Sequence, residues 1–218
     1  PLADDNLVEI GPGQGAITAP LLSLCPSLNV IEIDKHLIPI LLAQFAKYDG
    51  FKIHQEDALK FDFSTLATER PLRIVGNLPY NISTPIIFRL LSFQNKIADM
   101  HFMLQKEVVE RLASTAGEKN YGRLSVMVQY YCHVDNLFGV PPESFTPQPK
   151  VDSAIVRLTP FKTLPFIAED VGVFSKLVNV AFQQRRKTLR NSFLLFTSVS
   201  ADAFTPLTSR CSRLPHII

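Results

Sequence analysis

No run in this sequence is apolar over the roughly 18 positions that a membrane-spanning helix needs. The longest candidate, 37–46, is broken by Pro39 and Gln44 and reads as a buried helix. Metal-ligand spacing is missing as well. The three cysteines, Cys25, Cys132 and Cys211, are an odd number and stand far apart; the five histidines fall singly at 36, 54, 101, 133 and 216. Reduced thiols in a cytoplasmic protein are the simple reading, and no metal site is expected. Internal repeats, low-complexity tracts and a signal-peptide pattern are also lacking. Charge is nearly balanced at +2, so a nucleic-acid partner has to be argued from where the charges sit. What is present is a 46% hydrophobic content over 218 residues, enough for one packed domain, or one domain with a small appendage.

Strand-like and helix-like runs alternate through the first half. Strands are expected at 7–10, 29–33, 51–54, 72–75 and 100–104, with helices at 16–24, 36–47, 84–91 and 106–113 between or after them. This alternation implies βαβ units, a mostly parallel sheet and right-handed crossovers. The run 124–131 fits helix or strand by period, and the turn required before the next strand favours helix. Two further strands, 136–140 and 153–158, flank a proline-rich connection and are expected to pair antiparallel at the sheet edge. Residues 160–165 read as a linker. Apolar residues at helical spacing over 173–196 then predict a small all-α unit, and no clear period follows Thr197.

Between the first strand and its helix lies Gly11-Pro12-Gly13-Gln14-Gly15, preceded by Glu9-Ile10. Glycine permits tight turns and close backbone approach to a ligand. The spacing is G-x-G-x-G and not the G-x-G-x-x-G of a pyrophosphate cradle, which suits a phosphate-free ligand such as S-adenosylmethionine. Taken alone, the loop also fits a plain turn or another nucleotide. Glu32, 21 residues past Gly11 and ending the second strand, is placed to accept from two ribose hydroxyls. Asp34 is expected to turn away into the loop. Asp57, after the third strand, is placed to accept from an adenine amine, although each acid singly also fits a solvated carboxylate or a helix cap.

The fourth strand delivers Asn77-Leu78-Pro79-Tyr80, a position at which open α/β sheets bind ligands. An adenine amine is a poor nucleophile because its lone pair is delocalised into the ring. The Asn77 side-chain oxygen and the Leu78 carbonyl can each accept one of its N–H groups and favour a pyramidal nitrogen. Pro79 stiffens the turn and Tyr80 offers a ring on which a flipped base stacks.

These residues resemble the ribosomal RNA adenine N6-dimethyltransferases of the bacterial small-subunit type. The carriers are Val8-Glu9-Ile10-Gly11-Pro12-Gly13, Ile31-Glu32-Ile33-Asp34, Glu56-Asp57-Ala58, the run from Gly76 to Pro85, Leu104-Gln105-Lys106-Glu107-Val108, Phe145 to Ser153, and Phe182 to Asn191. They cover 7 to about 195 in family order. The resemblance implies a class I S-adenosylmethionine-dependent methyltransferase, with a Rossmann-like, mostly parallel seven-stranded sheet over 1–160 and a small helical RNA-contacting domain over 166–218. It implies cofactor contacts at Glu9, Gly11, Gly13, Gly15, Glu32, Ile33, Asp57, Ala58 and Asn77. It also makes Phe145 a second ring opposite Tyr80, where pattern alone reads a core residue beside prolines. The implied substrate is a pair of adjacent adenosines in a 3′-terminal hairpin loop of small-subunit (16S) rRNA, each dimethylated at N6 within an assembling 30S particle, by a monomer.

Arg185, Arg186, Lys187 and Arg190 cluster within six positions. A bare basic cluster fits a solvated helix face equally well; with the resemblance it becomes an RNA-phosphate contact. Lys150 and Arg157 are further candidates. The family's amino-terminal segment, a Gln-Asn-Phe-Leu-like run over the methionine end of the cofactor, has no counterpart before Leu7. The match also weakens from Leu195, so weakened cofactor binding by this chain is expected. Three other readings stay open: a large-subunit rRNA methyltransferase conferring antibiotic resistance, a catalytically impaired RNA-binding assembly factor, and a DNA adenine methyltransferase, for which 218 residues leave little room.

Overall fold

The structure, a computed structural model, describes residues 1–183. Seven strands form one sheet: β1 (Asn6–Ile10), β2 (Ser27–Glu32), β3 (Gly50–Gln55), β4 (Leu72–Asn77), β5 (Ile97–Gln105), β6 (Cys132–Val140) and β7 (Ser153–Pro160), in the order β3-β2-β1-β4-β5-β7-β6. The first five are parallel. β7 runs antiparallel to both β5 and β6, which makes the expected antiparallel edge. The α-helices among the described residues are α1 (Thr18–Leu24), α2 (Leu37–Gln44), α3 (Ser83–Leu91), α4 (Lys106–Ala113), α5 (Arg123–Gln129) and α6 (Val171–Gln183).

β1 has neighbours on both sides and its residues from Leu7 to Ile10 are all buried, which is why its sequence reads as an apolar run. One core packs Leu7, Leu28 and Val30 of the sheet under Leu21, Leu22 and Cys25 of α1 and its end, and under Leu41 and Phe45 of α2 and its end. In β4 and β5 burial alternates: Leu72, Ile74, Met100 and Phe102 are buried, while Arg73, Val75, Asp99 and His101 on the other face stay half-exposed. On that face Arg73 bridges Asp99 at 2.9 Å and Asp5 at 2.7 Å. Burial works against ionising Asp99, but hydrogen bonds from His101 and Arg73 and their charges outweigh it and hold the carboxyl at about 2.

Two elements differ from the sequence expectation in extent. β6 begins at Cys132 and not at 136, because Asp135 pairs with Arg157 across the ladder and its carboxylate meets the Arg157 guanidinium at 2.9 Å, which carries the pairing past the irregularity between Asn136 and Phe138. α1 begins at Thr18, since the glycine turn occupies the positions before it.

The chain forms two compact units. One comprises Pro1–Glu110 and Tyr131–Thr163 and holds the whole sheet. The other gathers Arg111–Tyr130 with the described residues from Leu164, whereas the sequence reading kept 111–130 in a first domain of 1–160. In this second unit Tyr130 stacks on Phe174 with centroids 5.0 Å apart, and the Ala168 N–H donates to the Tyr130 hydroxyl at 3.1 Å. The Gln129 amide donates to the Leu112 and Ser114 carbonyls, at 2.8 Å each. The Tyr130 contacts tie 111–130 to α6 and the segment before it, and the Gln129 bonds hold 111–130 together.

Candidate active site

The chain runs outward from β1 to β3, then crosses back to lay β4 on the other side of β1. The carboxyl ends of β1 and β4 therefore diverge at a topological switch point, where a crevice opens. The glycine loop leaves β1 there and Asn77 ends β4 beside it. Glu9 pairs with Val75, and a Cβ on Gly76 would stand 2.8 Å from the Ile10 carbonyl oxygen. Only glycine lets the two strands keep that approach.

The loop is set by backbone bonds. The Gly11 N–H donates to the Ile31 carbonyl at 3.0 Å and the Gly15 N–H to that of Pro12 at 2.9 Å. Gly11 and Gly13 have positive φ, 66° and 58°, yet an added Cβ at either would meet nothing within 4 Å. Their backbone faces open space. Gly15 is different, because its Cβ would collide with the Phe45 ring at 2.8 Å; it is a packing glycine at the foot of the loop.

Around this space stand the other expected contacts. Glu32 is buried at the last position of β2. Its Oε1 accepts from the Asp34 N–H at 2.8 Å, and among the described residues Oε2 has no partner. Asp34 itself has left the strand and accepts from the His36 N–H. Ile33, next to Glu32, is 67% exposed, an apolar platform at the crevice edge. Asp57 Oδ1 accepts from the Leu59 N–H at 2.9 Å, so part of its carboxylate caps the turn that carries Ala58. Glu9 is buried and turns to Thr18, whose hydroxyl donates to Oε2 at 2.6 Å. Burial pushes its carboxyl up from 4.5 to about 7, with the Thr18 bond pulling the other way.

Beside the loop, Asn77, Leu78, Pro79 and Tyr80 line an open cavity of about 300 Å³ together with Phe145, Pro147 and Pro149. The turn is anchored from both sides. The Leu78 side chain is buried and its N–H donates to the Met103 carbonyl at 3.3 Å. The Pro79 carbonyl accepts from Ile82 and Ser83, and the Ser83 hydroxyl donates to the Tyr80 carbonyl. Asn77 and Tyr80 are exposed. The Tyr80 hydroxyl stands 3.4 Å from that of Ser153 at the start of β7. Because β7 is antiparallel, it begins at the carboxyl edge of the parallel strands, and that brings Phe145 to the pocket.

The family model for ribosomal RNA adenine dimethylases matches residues 1–208. The chain belongs to the ribosomal RNA adenine dimethylase family. Over 193 residues it is 72% identical to the ribosomal RNA small subunit methyltransferase A of Saccharophagus degradans, covering 88% of this chain and 72% of that protein. Against the protein of the same name from Chromohalobacter salexigens the identity is 56%, over all of this chain and 78% of the relative. Among solved structures, a dimethyladenosine transferase from Plasmodium falciparum superposes with a TM-score of 0.76 at 33% identity, covering 88% of this chain and 68% of the other. The 23S rRNA methyltransferase ErmE gives 0.73 at 24% identity, covering 89% and 77%, and shares the fold. The seven-stranded, class I methyltransferase architecture expected from the sequence is borne out.

Within this family's chain, the residues singled out by sequence fall into four groups. Gly11, Gly13, Glu32, Ile33, Asp57 and Ala58 lie at or just past strand ends on one edge of the sheet, and Asn77, Leu78, Pro79, Tyr80 and Phe145 line one pocket on that edge. Arg157 is turned elsewhere: it is bound to Asp135 and lies four residues along β7 from Ser153, about 13 Å at strand rise. Arg185, Arg186, Lys187 and Arg190 lie outside the described residues. Sequence reasoning missed Ser153, Pro147 and Pro149 as pocket-side residues and Thr18 as the partner of Glu9. The P-x-P spacing of 147 and 149 was visible but read as a connection.

Proposed function

We propose that this chain transfers methyl groups from S-adenosyl-L-methionine to N6 of two adjacent adenosines in the 3′-terminal hairpin of 16S rRNA within an assembling 30S particle, as a cytoplasmic monomer. The cofactor reading is supported by the crevice itself: open backbone at Gly11 and Gly13, a free Glu32 oxygen suited to a ribose hydroxyl, and the exposed Ile33 face. Asp57 and Ala58 would meet its adenine, and Asn77 closes the side toward the pocket. When bound, the cofactor supplies an electrophilic methyl carried on a sulfonium.

The protein's own part is to hold the acceptor amine. Asn77 Oδ1 and the Leu78 carbonyl oxygen accept hydrogen bonds from its two N–H groups in the first transfer, and one of them from the single N–H left in the second, turning the nitrogen lone pair out of the ring plane while Tyr80 and Phe145 grip the base. Water beyond the pocket receives the proton that N6 loses. The cluster Arg185, Arg186, Lys187 and Arg190, outside the described residues, supplies phosphate contacts in this reading.

The observation that carries the proposal is the pocket of Asn77, Leu78, Pro79, Tyr80 and Phe145 at the end of β4, the strand paired with β1, from which the glycine loop leaves. The test is radiolabelled methyl transfer to unmethylated small subunits, with large subunits in parallel. Label is expected on small subunits alone. Asn77→Ala is expected to lower the rate on the order of 10²–10³-fold, the scale of one preorganised polar group. Label confined to large subunits, or an Asn77→Ala variant with unchanged rate, would overturn it.

A further inference from the structure

Glu9 is the one acidic residue in β1, whose other buried positions, Leu7, Val8 and Ile10, are apolar. It shares a sheet face with Leu7, and its register neighbours are Val30 and Val75, both in or against the apolar core under α1 and α2. Only 1% of its surface is exposed. An acid in such a place is costly unless bonded, and substitution by an apolar residue would remove the cost, so its presence calls for a role. The side chain has a single hydrogen-bond partner among the described residues, the Thr18 hydroxyl at 2.6 Å, and Thr18 is fully buried at the first position of α1. The two residues bracket the glycine loop: Glu9 is two positions before Gly11 and Thr18 three after Gly15.

The loop between them needs such a brace. Three of its five residues have positive φ, and at two of these an added Cβ would meet nothing within 4 Å. Glycine also has the most conformational freedom to lose. We propose that Glu9 is a positioning residue: its carboxyl, bonded to the Thr18 hydroxyl, locks the end of β1 to the start of α1 and so fixes the intervening glycine loop in the shape that receives the methyl donor. The bond spans the loop as a rivet beneath it, and the donor meets the backbone of the loop, not the carboxylate. This role rests on the reading of the crevice as a cofactor site. It asks only for an acceptor atom at Glu9 and a donor hydroxyl at 18, not for a charge.

The test uses the full chain and four single variants, Glu9→Gln, Glu9→Ala, Thr18→Ser and Thr18→Val, with the double variant Glu9→Ala/Thr18→Val. Two quantities are read: calorimetric affinity for S-adenosylmethionine, and amide hydrogen exchange of Gly11, Gly13, Gln14 and Gly15 in the ligand-free protein. Glu9→Ala and Thr18→Val are expected to weaken binding about tenfold each, the worth of one hydrogen bond, and to speed loop exchange. The double variant is expected to match either single one, since both delete the same bond. Glu9→Gln and Thr18→Ser keep the bond and are expected to stay within about threefold of the parent. Three results would overturn the proposal: Thr18→Val leaving affinity and exchange unchanged, Glu9→Gln as damaging as Glu9→Ala, or variants less stable but unaltered in both readouts. Failure of the parent protein to bind the cofactor would sink the crevice reading instead, while loop exchange still decides the role of Glu9.

Discussion

Glu9→Gln makes a second, independent prediction, about stability against pH. In the folded chain burial raises the Glu9 carboxyl from 4.5 to about 7. An acid raised in this way binds its proton more tightly when folded than when unfolded. Its contribution to stability is full below pH 4.5 and is lost as pH climbs through the folded value. The total corresponds to about 3 kcal/mol, of which about 2 kcal/mol falls between pH 5.5 and 8. Glutamine is nearly isosteric, can accept from Thr18 through its carbonyl oxygen, and does not titrate. Urea unfolding of both proteins at half-unit steps over that range is expected to show the parent losing about 2 kcal/mol more than the variant, so that their curves draw apart by that amount between pH 5.5 and pH 8. In melting temperature the separation is about 4–8 °C for a chain of this size. Other titrating groups act equally in both proteins and cancel in the difference. Parallel curves across the range would refute the reasoning, because they would mean that the carboxyl ionises at its ordinary pH and that its site is wetter than a buried strand position allows.

Gly76→Ala places a methyl 2.8 Å from the Ile10 carbonyl oxygen and 3.1 Å from Leu78 Cδ2. Since backbone cannot step aside, a loss of about 1–3 kcal/mol by denaturant unfolding is expected, with methyl transfer impaired at temperatures where the variant is still folded. Phe145→Ala removes one wall of the pocket and is expected to weaken binding of the adenosine hairpin by about 1–3 kcal/mol while leaving S-adenosylmethionine affinity unchanged, read by parallel titrations with RNA and cofactor. On the acid side, Asp99 is held at about 2 against an ordinary 3.8, so its share of stability is present above pH 4 and lost as pH falls toward 2. The parent is expected to lose about 2 kcal/mol more than Asp99→Asn over that interval in urea titrations.

The parts of the site that were legible in the sequence are those where one local rule is enough. A glycine-rich turn after an apolar run, an acid at the end of the next run, and Asn-Leu-Pro-Tyr at the end of another each announce themselves within a few residues. What local pattern does not contain is that β4, fourth along the chain, lies against β1. Asn77 and Gly11 are 66 positions apart and come to the ends of neighbouring strands only because the chain reverses its direction of travel across the sheet after β3. Thr18 was invisible for a related reason. A threonine opening a helix reads as a cap, and its partner, in the middle of a strand, faces it only once α1 folds down over β1.

Phe145 shows the limit most sharply, because its neighbourhood in sequence argues for the wrong environment. Prolines at 141, 142, 147 and 149 read as a stiff surface connection, in which a lone aromatic is best assigned to the core. The reversal comes from strand direction. Five parallel strands all finish at one edge, and a ligand there has walls only from the loops that follow them. β7 inserts between β5 and β6 in the opposite sense, so the segment that precedes it, and not the one that follows, arrives at that edge. The connection 141–152 is thereby delivered to Tyr80 from across the crevice, with Ser153 beside the tyrosine hydroxyl as its hinge point. A parallel β7 would send the same loop to the far end of the sheet and leave Tyr80 to stack on a base alone. In the proposed reading, the antiparallel edge strand is therefore what turns a cofactor crevice into a two-sided slot fit for a flat, extruded base.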